Sequence, residues 1–370
     1  MATGMQSTCH LESLNAKSMK HRIKKLLRKT VAKVAHYTRL RVVFRASRRG
    51  APVLMFHNVG HPETTAYLPD HMKISEATLE RLLDLLEAGG YETITQTQLV
   101  ETLDAGETPK KQVVLTFDDG YRDNHDLLLP ILKRRGATAT IFVQTGPMKG
   151  KLNWLHHYFW VLHREGPHKL ATLISEQLSR PHLRADLADL PNGLVEAEYA
   201  MKQLLKYEVA AEERDQILER IFSEQGGNDG ELARDVYLSP DECRALDEAG
   251  IEIGAHTVNH LILSSLDSTR QRLEIEGSLR DLESWLGHGI PAFAYPYGRN
   301  WDFNEETLGI LDDLGFSSAI TAMPGLNDPQ TPRMQLRRIA VNQESDLADV
   351  MCEVDGVFDW FERRGLKLHV

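Results

Sequence analysis

The run Gln112-Val-Val-Leu-Thr-Phe117 ends in Asp118-Asp119-Gly120, and behind it come a helical pattern around Leu127–Arg135, Gly136, and a second apolar run, Ala139-Thr-Ile-Phe-Val143. Short apolar runs closed by turns read as buried strands, and a strand–helix–strand succession joins parallel neighbours. Parallel sheets need cover on both faces, so this feature confines the chain to an α/β architecture. The rhythm recurs on either side. Pro52–His57 and Tyr91–Thr95 read as strands, with a helix between them from Ile74 to Gly89 that Ser75 can cap. Further on, helices are expected over Pro240–Gly250, Thr269–Gly287 and Glu305–Leu314. Strands are expected over Ile251–Gly254, Ala292–Tyr295, Ser317–Thr321 and Arg337–Val341. One terminal helix is expected from Ser345 to Arg363.

Residues 150–235 break the rhythm. They carry helical spacing and no strand signal, and read as an insertion of roughly 80 residues, far longer than an ordinary connection. The organisation expected is a basic extension over 1–50, a catalytic unit over 51–345 that contains this insertion, and a helix and tail over 346–370.

Charge is unevenly spread. Residues 1–50 hold six Lys and seven Arg against Glu12 alone, near +12, which leaves near −22 for the rest of a chain whose formal net charge is −10. That balance argues against nucleic acid as a partner. The first 16 residues look disordered. From 17 to 49, Ile23, Leu26, Leu27, Val31, Val34 and Ala35 fall at helical spacing among lysines and arginines. This segment reads as a helix packed on the domain edge or an interfacial helix touching acidic lipid headgroups, with nucleic-acid contact third because aromatic interleaving is sparse. No run has the length of a membrane span, and no apolar stretch follows the N-terminal basic residues as in a secretory signal. A cytoplasmic or peripheral inner-membrane location is therefore expected. Cys9, Cys243 and Cys352 lie far apart with no CxxC pair, which argues against a cysteine-ligated zinc site.

Three motifs carry chemistry, each behind an expected strand. In α/β barrels the C-terminal strand ends form the catalytic face. Asp118 and Asp119 at such an end would point in different directions, one toward a metal and one toward substrate; the plain alternative is a surface turn. In His256-Thr-Val-Asn-His260, histidines at i and i+4 would share one helical face and reach one ion. With a carboxylate they would leave open positions for water and substrate; the alternative is two surface histidines. In Ala294-Tyr-Pro-Tyr297-Gly298 a sharp turn can aim a backbone N–H at a developing oxyanion, or be no more than a turn.

Taken together and in this order, the motifs resemble those of the polysaccharide deacetylases, the NodB-homology family (carbohydrate esterase family 4), over about residues 51–145 and 236–345. The resemblance implies a distorted (β/α) barrel and metal-dependent hydrolysis of an acetamide on an N-acetylhexosamine-containing glycan. Asp119, His256 and His260 would hold the metal, usually Zn2+ in this family. Asp118 would be the general base, and the Tyr297 backbone N–H would meet the oxyanion. The Arg that normally orients the base is replaced by Ala294; Arg338 is the candidate substitute, with Arg299 second. No clear late Leu-x-His motif supplies the acid. Val53-Leu-Met-Phe-His57-Asn58 instead resembles the early His strand of a permuted branch, which gives that role to His57. His156 and His157 read as packing residues. Trp154, Tyr158 and Trp160 are core or sugar-stacking residues. The rival readings are a superfamily amidohydrolase acting on a small non-sugar amide, and a sugar-binding scaffold with weak catalysis.

Overall fold

A computed structural model describes residues 28, 30–35, 38, 41–60 and 63–366. The strands in chain order are β1 (Val53–Phe56), β2 (Asn58–Val59), β3 (Lys73–Ile74), β4 (Glu92–Ile94), β5 (Gln112–Phe117), β6 (Thr140–Val143), β7 (Glu252–Ala255), β8 (Ala292–Ala294), β9 (Ser318–Ile320) and β10 (Ile339–Ala340). Eight of them form one parallel sheet in the order β10-β1-β5-β6-β7-β8-β9, with β4 alongside β5. The sheet curls until its ends meet: Ile320 bridges to Leu336, and the Thr321 N–H donates to Leu336 O at 2.8 Å. The expected distorted (β/α) barrel is thus observed.

Alternation along the strands creates two cores. Val113, Leu115 and Phe117 of β5, Ile141 and Val143 of β6, and Phe293 of β8 join the layer shared with the surrounding helices. Val114, Phe142, Ala292, Ala294 and Ile320 point into the barrel. The interior is narrow and accepts small residues opposite one large ring. A Cβ on Gly254 would lie 2.5 Å from the Phe142 ring and 3.0 Å from Ala292 O. Glycine at 254 is therefore a packing requirement, not a turn signal.

Helix ends follow their caps. Ser75 accepts from the Thr78 N–H before helix Glu76–Ala88, and Gly136 closes Leu129–Arg135 in the left-handed conformation. Helix Gln96–Asp104 is one that periodicity did not predict. It is short and polar on average, yet Leu99, Val100 and Leu103 plug the N-terminal end of the barrel, and a capping box at Thr95 starts it. The terminal helix also differs from expectation: Gly356, at φ 78°, splits it into Leu347–Val354 and Val357–Glu362.

Between β6 and β7 the described residues form helices only, among them Trp154–Glu165, Leu194–Tyr207 and Ala211–Glu224. They enclose a second core, joined to the barrel by an antiparallel bridge between Tyr121 and Tyr237. The expected disorder of residues 1–16, and all of the basic stretch 17–27, lie outside the described residues. Where the extension is described, Ala32 and Ala35 pack with Cys352, Val357 and Phe358, and Arg28 pairs with Asp349 at 2.7 Å. No helix among the described residues is long and apolar enough to cross a membrane. Gly254→Val should cost about 3 kcal/mol of stability by overpacking the barrel interior; urea denaturation beside the unaltered protein checks this.

Candidate active site and metal centre

β5 delivers two buried carboxylates to the C-terminal end of the barrel. Asp119 and Gly120 both take the left-handed conformation, at φ 78° and 76°, so the chain reverses sharply between adjacent acids. A Cβ on Gly120 would lie 3.0 Å from Val143, so the turn is also tight. The two side chains consequently enter different environments.

Asp118 meets Arg338, which rises from the edge of β10. Arg338 Nη1 donates to Asp118 Oδ1 at 2.6 Å and Arg338 Nε donates to Thr321 O at 2.8 Å. Both side chains are almost wholly buried. Burial by itself would push the Asp118 carboxyl up, but Arg338, His256 and His57 together hold it below the usual carboxylate range. Arg299, the second candidate partner, lies elsewhere on the cleft wall, its N–H donating to Asp302 Oδ2 at 2.9 Å.

Asp119 faces the histidines. Its Oδ1 lies 3.7 Å from His256 Nε2 and 3.7 Å from His260 Nε2. These separations exceed a hydrogen bond and approach the roughly 3.4 Å edge of a tetrahedron whose ligands sit about 2.1 Å from a central ion. The expectation of a shared helical face is corrected here, because residues 256–260 form no helix. The rings converge because Thr257 (φ 64°) and His260 (φ 56°) turn left-handed. For β-branched Thr257 this is a strained conformation, of the kind that persists where surroundings impose it. Glu274 imposes it from helix Ser268–Leu286, accepting from Asn259 N at 2.8 Å and Asn259 Nδ2 at 2.7 Å.

The donor set suits a divalent cation. His256 Nδ1 lies 2.7 Å from Ala294 O, which can only accept, so Nδ1 carries the proton and Nε2 presents its lone pair to the cluster. Burial keeps both imidazoles neutral, His260 more strongly with His256 and Lys206 nearby. His260 Nδ1 is buried without a partner among the described residues. Burial, reinforced by Asp118, pushes Asp119 up, so an ion beside it would restore its charge. In a second trio of possible ligands, half-buried His125 and Glu242 with exposed Asp126, both acids pair with Arg122 instead.

Behind Asp119 runs a polar chain that the motifs did not reveal. Gln144 Nε2 donates to Asp119 Oδ1 at 2.5 Å, and Asn153 Nδ2 donates to Gln144 Oε1 at 2.8 Å. Tyr237 OH lies 2.5 Å from His156 Nε2, whose other ring nitrogen is 2.6 Å from Tyr67 OH. Gln144 follows directly on β6, a position shared with the motif residues, which was the available signal. His156 packs as expected, and burial lowers it to about 3. Tyr158 and Trp160 belong to the insertion core, whereas Trp154 reaches the cleft and donates to Tyr297 OH at 2.9 Å.

The cleft over these groups has a volume of about 630 Å³. His57, Asp118, Asp119, His256, His260, Tyr297 and Arg338 all line it, so every sequence-derived site residue is brought together. His57 follows β1, whose end is held by the buried Asp123 carboxylate accepting from Val59 N at 3.0 Å and from Asn58. Tyr297, at φ 62°, leaves its N–H without an acceptor among the described residues. Exposed Tyr199 and Trp301 stand at the rim.

The family model for polysaccharide deacetylases matches residues 105–180 and 208–319, just over half of the chain. Bacillus subtilis (strain 168) YxkH, named as a candidate polysaccharide deacetylase, is 21% identical over 292 residues, which span 79% of this chain and 71% of that protein. Among solved structures, the Streptococcus pyogenes deacetylase PplD aligns with a TM-score of 0.53 at 21% identity, over 82% of this chain and 98% of its own. The de-N-acetylase from Aggregatibacter actinomycetemcomitans aligns at 0.50 and 16% identity, over 81% and 97%.

Two outcomes follow from this geometry. Arg338→Met strands a buried carboxylate and should cost about 3–5 kcal/mol, measured by chemical denaturation. Gln144→Leu should leave the fold intact and weaken divalent-cation retention about 10–100-fold, measured by competition with a chromophoric chelator.

Proposed function

This chain belongs to the polysaccharide deacetylase family, and from that membership we propose that it hydrolyses the acetamide of an N-acetylhexosamine-containing glycan or glycan intermediate, releasing acetate and leaving a free amine. The observation that carries the reading is the division of labour between adjacent carboxylates, Asp118 on Arg338 and Asp119 between two imidazoles.

A divalent cation held by Asp119, His256 and His260, zinc by analogy with the family, would act as a Lewis acid on the acetamide carbonyl. Asp118, kept ionised by Arg338, takes a proton from the attacking water. Oxygen then bonds to the carbonyl carbon, and the Tyr297 N–H donates to the oxyanion that develops. Collapse breaks the C–N bond while protonated His57 gives its proton to the departing nitrogen; acetic acid and a neutral amine leave, the acid ionises to acetate in solvent, and the proton on Asp118 returns through solvent to His57. Arg338 contributes by position: it keeps Asp118 charged and aimed, and its hydrogen bond to Thr321 O keeps the guanidinium from following substrate. The 630 Å³ cleft and the rim aromatics Tyr199 and Trp301 suit a sugar rather than a small amide.

The test pairs metal content with acetate release from N-acetylglucosamine oligomers. Near-stoichiometric metal is expected in the unaltered protein, with both metal and activity lost in His256→Ala/His260→Ala. Asp118→Asn should keep the metal and lose about 10²–10⁴ in kcat. Full activity in Asp118→Asn would overturn the mechanism. Bound metal with hydrolysis confined to small non-sugar amides would favour the amidohydrolase reading, and failure to take up metal would favour a scaffold.

A further inference from the structure

Outside the reacting groups the cleft wall is cationic, in a chain whose net charge is −10. Helix Leu194–Tyr207 of the insertion lays Tyr199, Lys202, Gln203 and Lys206 along that wall, at i, i+3, i+4 and i+7, so one helical face looks across at the barrel mouth. Arg299 approaches from the turn after β8. The acids lining the cleft are Asp118 and Asp119, both already engaged.

Three cations stand against few acids: Lys206 and Arg299 share one buried carboxylate, Asp302, and Lys202 has Glu198 nearby. Among the described residues neither Lys202 nor Arg299 has a carboxylate within ion-pair distance, although Lys202 Nζ lies 5.4 Å from the centre of the Phe159 ring. Lys206 Nζ stands 3.8 Å from Asp302 Oδ1, beyond a hydrogen bond, while Asp302 itself accepts from Arg299 N at 2.9 Å and from Tyr207 OH at 3.4 Å. Lys202 and Lys206 are like charges four residues apart, an arrangement that weakens a helix unless an anion lies between them. Burial lowers both, Lys206 to about 8, which an anion beside them would reverse. Lys206 is also close to the proposed chemistry: its Nζ lies 3.7 Å from the centre of the ring of Tyr297, the residue whose backbone N–H the deacetylase reading assigns to the oxyanion. A negative group held there would belong to the reacting sugar or its neighbour.

We propose that the substrate is an anionic glycan, an N-acetylated sugar bearing a phosphoryl or carboxyl group beside the acetamide, and that Lys202, Lys206 and Arg299 bind that group. This inference rests on the deacetylase reading and deepens it. Charge of one sign in a concave site raises both capture and discrimination of an oppositely charged substrate.

The experiment uses the full chain, loaded with metal. Acetate release is compared for chitotriose, chitotriosyl 1-phosphate and an oligosaccharide alternating N-acetylglucosamine with glucuronate. One charged substrate should exceed chitotriose about tenfold or more in kcat/KM, mainly through KM, and the advantage should shrink as salt rises. Which of the two does so identifies phosphoryl or carboxyl as the recognised group. In Lys202→Gln/Lys206→Gln the charged-to-neutral ratio should fall toward one, and Lys202→Arg/Lys206→Arg should restore most of it; circular dichroism verifies folding of both. Equal kcat/KM for neutral and charged substrates, or a preference that survives the glutamine pair, overturns the anion site and leaves the deacetylase standing. If no substrate yields acetate, the deacetylase reading fails and calorimetric binding decides the anion site. Binding of chitotriosyl 1-phosphate that is tighter than chitotriose and lost in the glutamine pair sustains it, and equal binding removes it.

Discussion

Two carboxylates side by side in sequence, both buried, cannot both remain charged without compensation on two sides. The rest of this structure is arranged around that constraint. The left-handed turn through Asp119 and Gly120 sends the side chains apart, and each then meets a counter-group from a distant part of the chain. Asp118 has a guanidinium from the last strand of the barrel, and Asp119 has two imidazoles and an amide. One carboxylate is thereby kept ionised, while the other is placed where a cation would complete it.

The compensation for Asp118 depends on barrel closure. Arg338 reaches the acid because β10 pairs with β1, and β1 with β5. Its guanidinium stands 6.0 Å from the Phe142 ring centre, in an interior kept open by Gly254, Ala292 and Ala294. Arg338 thus brings its charge to Asp118 from β10, while position 294, inside the barrel, carries a small alanine.

The insertion takes part in the site as well as capping it. Asn153 begins helix Trp154–Glu165 and passes a hydrogen bond through Gln144 to Asp119, so the insertion core and the Asp119–His256–His260 cluster share a polar chain. On the open side helix Leu194–Tyr207 supplies one wall of the cleft. The barrel thus contributes the paired carboxylates and histidines, and the insertion contributes both the support behind Asp119 and one wall of the cleft.

Strand and helix placement was legible because it depends on local chemistry. Apolar runs such as Gln112–Phe117 can only be buried, Ser75 caps the helix it precedes, and Gly136 ends another. Where a local rule had competitors it failed: Gly356 broke the terminal helix, and Gln96–Asp104 formed a helix because the barrel end needed a plug. The motif residues were likewise visible one by one, each at a strand end. Their convergence was implied by the family resemblance alone and could not be read from spacing. The histidines reach one point through left-handed turns held by Glu274, not through helical periodicity, and Gln144, Asn153, Lys202 and Lys206 carry no motif at all. Sequence by itself determined which residues are buried, which segments extend or coil, and which side chains can ionise or ligate, because those follow from neighbours along the chain. Tertiary structure alone decided which charge faces which, because the field at a buried carboxylate is set by groups within a few ångströms in space, and Arg338, 220 residues beyond Asp118, is closer to it than any spacing rule could say.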